Sequence, residues 1–119
     1  YCSGVIYHVT DPVLFLRICF AYLKVGGRLI VETKAHSGSS PVTGLCGYSG
    51  TLEKGWNWFA PNGEALGRWL VDAGFSKERV ELHQRFNGRL LACGVKTKTG
   101  ALSETAGFSR PGSWLEEEV

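Results

Sequence analysis

Between Asp11 and Lys34 the chain spells out a helix and then a strand, with the boundaries of both marked. Thr10-Asp11-Pro12 offers an acceptor side chain at the N-cap and a proline at the first helical position, where its missing N–H is not needed. Residues 12–24 are then nearly all apolar. The exceptions, Arg17 and Lys24, lie seven apart and share one face, which predicts a helix showing only a thin polar stripe to water. Gly26-Gly27 ends it, because glycine accepts the left-handed conformation that closes helices. In Arg28–Lys34, which follows, Leu29, Ile30 and Val31 are consecutive. An apolar run without alternation suits a strand buried on both faces, as in a parallel sheet covered by helices. Glu32, Thr33 and Lys34 fall at its C-terminal end, where open α/β sheets bind ligands.

The flanking segments extend this pattern. Residues 2–9 are rich in β-branched and aromatic types and are expected to form a strand leading into a loop. Residues 35–58 carry Gly38, Gly44, Gly47, Gly50 and Gly55 among serines and threonines, with no surviving period, and predict a long functional or mobile loop. Pro61-Asn62 opens a second helix in which Leu66, Trp69, Leu70 and Ala73 keep the i, i+3, i+4, i+7 spacing. Gly74 stops it, and Phe75 can pack back against the cap. Residues 79–85 alternate as a half-exposed strand, Asn87-Gly88 signals a hairpin, and Leu90–Val95 reads as a return strand apolar on both faces. The order is strand, helix, strand, loop, helix, strand, turn, strand: an α/β arrangement closing in an antiparallel hairpin. From about Thr97 the pattern fades, and residues 98–119, ending in Glu116-Glu117-Glu118, are expected to be a loosely ordered tail or the start of a further region.

Composition narrows the function classes. With 119 residues, 44% hydrophobic and 20% charged, the chain has the make-up of one small globular domain. A net charge of +2 does not by itself argue for nucleic acid or an anionic membrane, and no apolar run approaches the roughly 18 residues of a membrane helix. Cys2, Cys19, Cys46 and Cys93 are widely and unevenly spaced, without the close pairs of a zinc knuckle or a disulfide framework. No metal and a reducing, cytoplasmic setting are expected. The sequence has no Met, and its apolar pattern is already running at the first residue, so a piece of a longer protein is expected.

Two runs carry a family resemblance: Ser3-Gly4-Val5-Ile6-Tyr7-His8-Val9-x-Asp11-Pro12, and Leu23-Lys24-x-Gly26-Gly27-Arg28-Leu29-Ile30-Val31-Glu32-Thr33. Together they resemble the second half of class I S-adenosylmethionine-dependent methyltransferases, in which a fourth strand, a helix, an L-K-P-G-G turn and a fifth strand occur in this order. Val25 stands where that turn usually has proline. Trp58-Phe59-x-Pro61 and Leu66-x-x-Trp69-Leu70-x-x-Ala73-Gly74-Phe75 are similar to the family's next helix and its A-G-F exit. The match covers roughly residues 1–97. Within the family, the Gly-Val-hydrophobic-Tyr-His element is most similar to the subgroup that modifies the wobble uridine of transfer RNA with carboxy-S-adenosylmethionine. The resemblance implies the C-terminal half of a Rossmann-like sheet, with strands 4 to 7 of the family in residues 1–97. No G-x-G-x-x-G occurs, so the glycine loop and ribose-binding acid of the family's first half are not in this chain.

The resemblance implies S-adenosylmethionine, or its carboxylated form, as cofactor, with Ser3 and Tyr7 touching it. Histidine as a residue type titrates near neutrality, which makes His8 a candidate to deprotonate a uridine oxygen or another hydroxyl acceptor. The plainer alternative makes Tyr7 a loop anchor and His8 a helix cap. Glu32 could face the acceptor or simply pair with a surface lysine. Trp56 and Trp58 could stack on a base or pin the loop to the core. His36 and His83 read as solvent-exposed, and Arg85, Arg89, Lys96 and Lys98 as edge-strand charges that deter aggregation or touch phosphate.

Two function classes follow. One is the C-terminal part of a methyltransferase acting on transfer RNA or a small molecule, weak or inactive without its N-terminal half. The other is a non-catalytic Rossmann-like association module. In either, an unpaired edge on the opening strand would favour homo-oligomers.

Overall fold

The computed structural model describes residues 1–38, 44–52, 55–84 and 87–99. Along the chain run β1 (Cys2–Ser3), a 3-10 turn (Ile6–His8), α1 (Pro12–Tyr22), β2 (Arg28–Lys34), β3 (Cys46–Gly50), β4 (Asn57–Pro61), α2 (Gly63–Asp72), a second 3-10 turn (Lys77–Arg79), β5 (Val80–Gln84) and β6 (Arg89–Val95). Four strands form one sheet in the order β1-β2-β6-β5, and β3 and β4 form a separate antiparallel hairpin. β1 runs parallel to β2; β6 is antiparallel to both its neighbours. The architecture is α/β with a mixed sheet. Among the described residues no helix is long and apolar enough to cross a membrane.

The boundaries follow from local chemistry. Asp11 caps α1 by accepting from the Leu14 N–H at 2.9 Å, with Pro12 at the first position. At the other end the Lys96 ammonium donates to the carbonyls of Phe20 and Leu23, both at 2.9 Å, where the helix leaves acceptors unsatisfied. Lys96 is therefore buried at the base of α1 rather than displayed beside the hairpin. Asn62 caps α2, accepting from Ala65 N–H at 2.9 Å. Past Ala73, the Phe75 N–H returns to the Leu70 carbonyl at 3.1 Å and its ring enters the core.

One face of the sheet holds that core. Leu29 and Val31 of β2 and Leu90 and Ala92 of β6 meet Leu16 and Phe20 of α1 and Leu66 and Leu70 of α2. Phe20 and Phe75 pack edge to face with centroids 4.9 Å apart. Each such side chain contributes about 1.5–3 kcal/mol by leaving water.

Five expectations are corrected. The strand expected over residues 2–9 is two residues long, because Gly4 turns the chain and Ile6–His8 form a 3-10 turn whose Ile6 inserts into the core. Residues 35–58 are not simply a loop: they contain β3 and the start of β4, whose polar and glycine-rich composition hides the strand period. Arg17 does not join a polar stripe; it is buried, and its Nε finds no hydrogen-bond partner among the described residues. β2 and β6 are not covered on both faces, since buried and half-buried residues alternate along each. Helix α1 also stops two residues short of the expected end, at Tyr22. The expected tail lies outside the described residues beyond Thr99, and so does Arg85.

Candidate functional site

The parallel pair β1–β2 ends with its carboxyl termini side by side. The ladder closes where the Gly4 N–H donates to the Glu32 carbonyl at 2.9 Å. Gly4 then turns the chain with φ of 68°, a left-handed value that a residue with a Cβ adopts at a cost. This turn brings Tyr7 back over the end of the sheet.

Alternation along β2 sends Glu32 and Lys34 to the face opposite the core. The register sets Lys34 opposite Arg89, so the first residue of β6 falls within reach of Glu32. Arg89 grips the Glu32 carboxylate through Nε and Nη2, the latter at 2.9 Å, and Ser3 Oγ donates to the same carboxylate at 2.8 Å. The guanidinium lies 5.2 Å from the centre of the Tyr7 ring, with the Lys34 ammonium 6.0 Å from it. The hydrogen bond from Arg89, helped by Ser3, holds the Glu32 carboxyl down at about 2. The same bond raises the Arg89 pKa further, so the pair stays ionised across the physiological range.

His8 stands beside this cluster, its ring 4.2 Å from that of Tyr7. Its Nδ1 lies 2.8 Å from the Trp56 carbonyl. A carbonyl only accepts, so Nδ1 carries the proton and Nε2 is the basic nitrogen of the neutral ring. Trp56 thus meets His8 through its backbone while its indole is 72% exposed. Trp58 is half-buried within β4, 6.5 Å from Tyr48 between ring centres. A cleft of about 390 Å³ opens between the sheet and the hairpin, lined by Tyr7, Lys34, Ser49, Asn57, Phe59 and Arg89.

The structure therefore gathers Ser3, Tyr7 and Glu32 in one cluster, with His8 at its border, and sets Trp56 and Trp58 on the adjoining hairpin. The partner of Glu32 is Arg89, not a surface lysine. Sequence reasoning treated Arg89 as an edge-strand charge; β6 is in fact central, between β2 and β5. The usable signal was the Asn87-Gly88 reversal, which starts β6 at Arg89 and faces it to Lys34. His36 and His83 lie apart from the cluster: His36 Nδ1 accepts from Gly38 N–H at 2.9 Å, and His83 pairs with Glu81 at 3.6 Å. Lys98 is exposed.

Similarity to known proteins points the same way as the motifs. The chain is 36% identical over 77 residues to a tRNA U34 carboxymethyltransferase of Alteromonas mediterranea, 65% of this chain and 23% of that protein. It is 36% identical over 81 residues to the enzyme of that name from Wolinella succinogenes, covering 68% and 28%. The resemblance is to the tRNA U34 carboxymethyltransferases. The counterpart from Sulfurovum is 35% identical over 82 residues, covering 67% and 26%. The chain thus spans about a quarter of the length of the curated carboxymethyltransferases it matches. No family model matches it.

Proposed function

We propose that this chain forms the C-terminal part of an S-adenosylmethionine-dependent transferase of the tRNA U34 carboxymethyltransferase group. Residues 1–97 would supply strands 4 to 7 of a Rossmann-like sheet, and residues 98–119 would lie outside that unit. The observation that carries the proposal is the coincidence of the Tyr-His motif with a charged cleft at the carboxyl ends of two parallel strands. The outer edge of β1 pairs with no strand among the described residues, which suits a sheet continuing into further strands.

The donor set fits a cofactor with an anionic group near its reactive centre. Arg89 has donors beyond the two given to Glu32, Lys34 adds a second cation on the same wall, and the Tyr7 hydroxyl adds a polar contact. Glu32 anchors the guanidinium and cancels one of the two charges, leaving the wall with a net cationic character that favours a carboxylate. When bound, S-adenosylmethionine or its carboxylated form supplies a carbon made electrophilic by the adjacent sulfonium. The chain's part in transfer is to orient and to exclude water, which carries much of the barrier for such a donor. His8, its proton fixed on Nδ1, offers Nε2 to take the proton of an incoming hydroxyl or uridine oxygen. Tyr48, Trp58 and Phe59 give the hairpin an aromatic surface for a nucleobase, and Trp56 extends it. The acceptor is proposed to be transfer RNA.

A chimaera tests this. The chain replaces the matching segment of the Alteromonas mediterranea enzyme, and transfer of the carboxymethyl group to transfer RNA is measured. Activity in the chimaera, lowered at least about tenfold by Arg89→Ala and by His8→Ala, is expected. A folded chimaera that binds neither cofactor, or variants indistinguishable from the parent, would contradict the proposal. Stable association of the chain that ignores cofactor in every context would favour the association module instead.

A further inference from the structure

The sheet has a second boundary, far in order from β1. β5 is the last strand of the β1-β2-β6-β5 sheet, and from Glu81 to Gln84 it is exposed. Its outer backbone groups form a ladder edge with no partner strand among the described residues. The five residues Val80-Glu81-Leu82-His83-Gln84 are symmetric about Leu82 in one respect that matters. If two copies run antiparallel with Leu82 opposite Leu82, Glu81 of each falls opposite His83 of the other. Val80 likewise falls opposite Gln84.

We infer that this edge pairs with the same edge of a second copy of the chain, making one sheet continuous across a two-fold axis at Leu82. Charge complementarity supports that occupant. Glu81 and His83 lie on one face of β5 and already approach within 3.6 Å inside one chain, with side chains 74% and 57% exposed. Across the axis the two pairs become four alternating charges when His83 is protonated, and hydrogen-bonded acid–imidazole contacts when it is not. Directly opposed residues of opposite sign stabilise a strand pair, whereas a like-charged edge would resist one.

The other face of the strand agrees. Leu82 is 41% exposed and Val71 of α2 is 38% exposed, and both line a groove of about 500 Å³ between α2 and β5. Gly63 and Gly67 form the helix wall of that groove, and a Cβ added at either would meet Leu82 Cδ1, at 3.9 and 3.4 Å, so the leucine lies against the small residues of its own helix. A two-fold axis perpendicular to the sheet keeps both α2 helices on the same side, so the two Leu82 side chains meet as direct neighbours between the two grooves. Glu64, Arg68, Asp72 and Lys77 rim each groove with mixed charge. Leu82 and Val71 stay partly exposed in the monomer, and a self-pairing strand covers Leu82 with its counterpart. The β1 edge carries no comparable symmetry, having only two residues.

The test is sedimentation equilibrium of the full 119-residue chain over a wide concentration range. Wild-type chain is expected to show a monomer–dimer equilibrium. Glu81→Lys should weaken it roughly tenfold or more, because both cross-axis pairs lose their attraction. The exchange variant Glu81→Lys with His83→Glu should restore it, since opposite signs face each other again. Leu82→Lys should abolish it, and circular dichroism of each variant should match wild type because the substituted side chains are exposed. A chain that stays monomeric throughout overturns the inference. So does a dimer indifferent to Glu81→Lys, which would place the contact elsewhere, for example at β1. A loss that the exchange variant fails to restore also overturns it.

Discussion

On the helix-covered face of the sheet, Leu29 and Val31 of β2 stand opposite Gly94 and Ala92 of β6, closed over by Phe20, Leu66, Leu70 and Phe75. One residue along the same strands, on the other face, Glu32 and Lys34 stand near Arg89 and below Tyr7. The strands are shared, and only the side of the pleat differs. Hydrophobic burial on one face supplies the stability that lets the other hold ionised groups in a fixed, partly buried arrangement. The charged face in turn contributes a clamp between β1, β2 and β6, because Ser3, Glu32 and Arg89 each come from a different strand.

Removing the Phe75 ring breaks the first half of that comparison. Phe75→Ala empties a fully buried site against Phe20 and should cost about 3–5 kcal/mol in chemical denaturation. A cost near 1 kcal/mol would mean the helix-covered face is not the main source of stability.

The charged face should respond to pH where the apolar face does not. Glu32 titrates at about 2 in the folded chain against an ordinary 4.5. A carboxyl whose pKa is depressed on folding stabilises above its unfolded value and loses that contribution as pH falls toward the folded one. Glu32→Gln should therefore lower stability by about 2 kcal/mol at neutral pH, allowing for solvent screening. The gap between wild type and variant should close as pH drops from 4.5 to 2. A gap constant with pH would mean the clamp does not act through ionisation.

The connection between the two regions can be probed at Asn62. Its side chain accepts from Ala65 N–H at 2.9 Å and Leu45 N–H at 3.0 Å and donates to the Gly38 carbonyl at 3.3 Å. It ties the start of α2 to the segments leading into the hairpin. Asn62→Ala should cost about 1–2 kcal/mol by thermal or chemical unfolding and loosen the hairpin side of the cleft. An effect confined to helix content would separate the two.

The smallest effect concerns reactivity. Burial, reinforced by neighbouring Cys2, pushes the Cys19 thiol up to about 11. At pH 8 only about a thousandth of it is thiolate, so Cys19 should alkylate far more slowly than an unperturbed cysteine. Mass-spectrometric labelling rates check this.

Much of the helix-covered face was legible in the sequence because one-sided burial leaves a periodic trace. Asp11-Pro12, the Leu66–Ala73 spacing and the Arg28–Lys34 run gave α1, α2 and β2 to within two residues. The same logic failed at Arg17, where tertiary packing buried a charge that the pattern assigned to water. The β3–β4 hairpin escaped because Cys-Gly-Tyr-Ser-Gly carries neither alternation nor β-branched residues, and its pairing with Asn57–Pro61 is set by contacts distant in sequence. The candidate site was half legible. Ser3, Tyr7 and Glu32 stood out through the motif and the strand end, whereas the place of Arg89 depends on the position of β6 within the sheet. Strand order is a non-local property that no window along the chain reveals.

The most direct test of the account is a heteronuclear NMR titration of the chain with carboxy-S-adenosylmethionine, following backbone amides at concentrations that detect weak binding. The account predicts shifts concentrated at Ser3, Gly4, Tyr7, Lys34 and Arg89, and their loss in Arg89→Ala. Shifts spread over α2 and β5, with none at Tyr7 or Arg89, would contradict it.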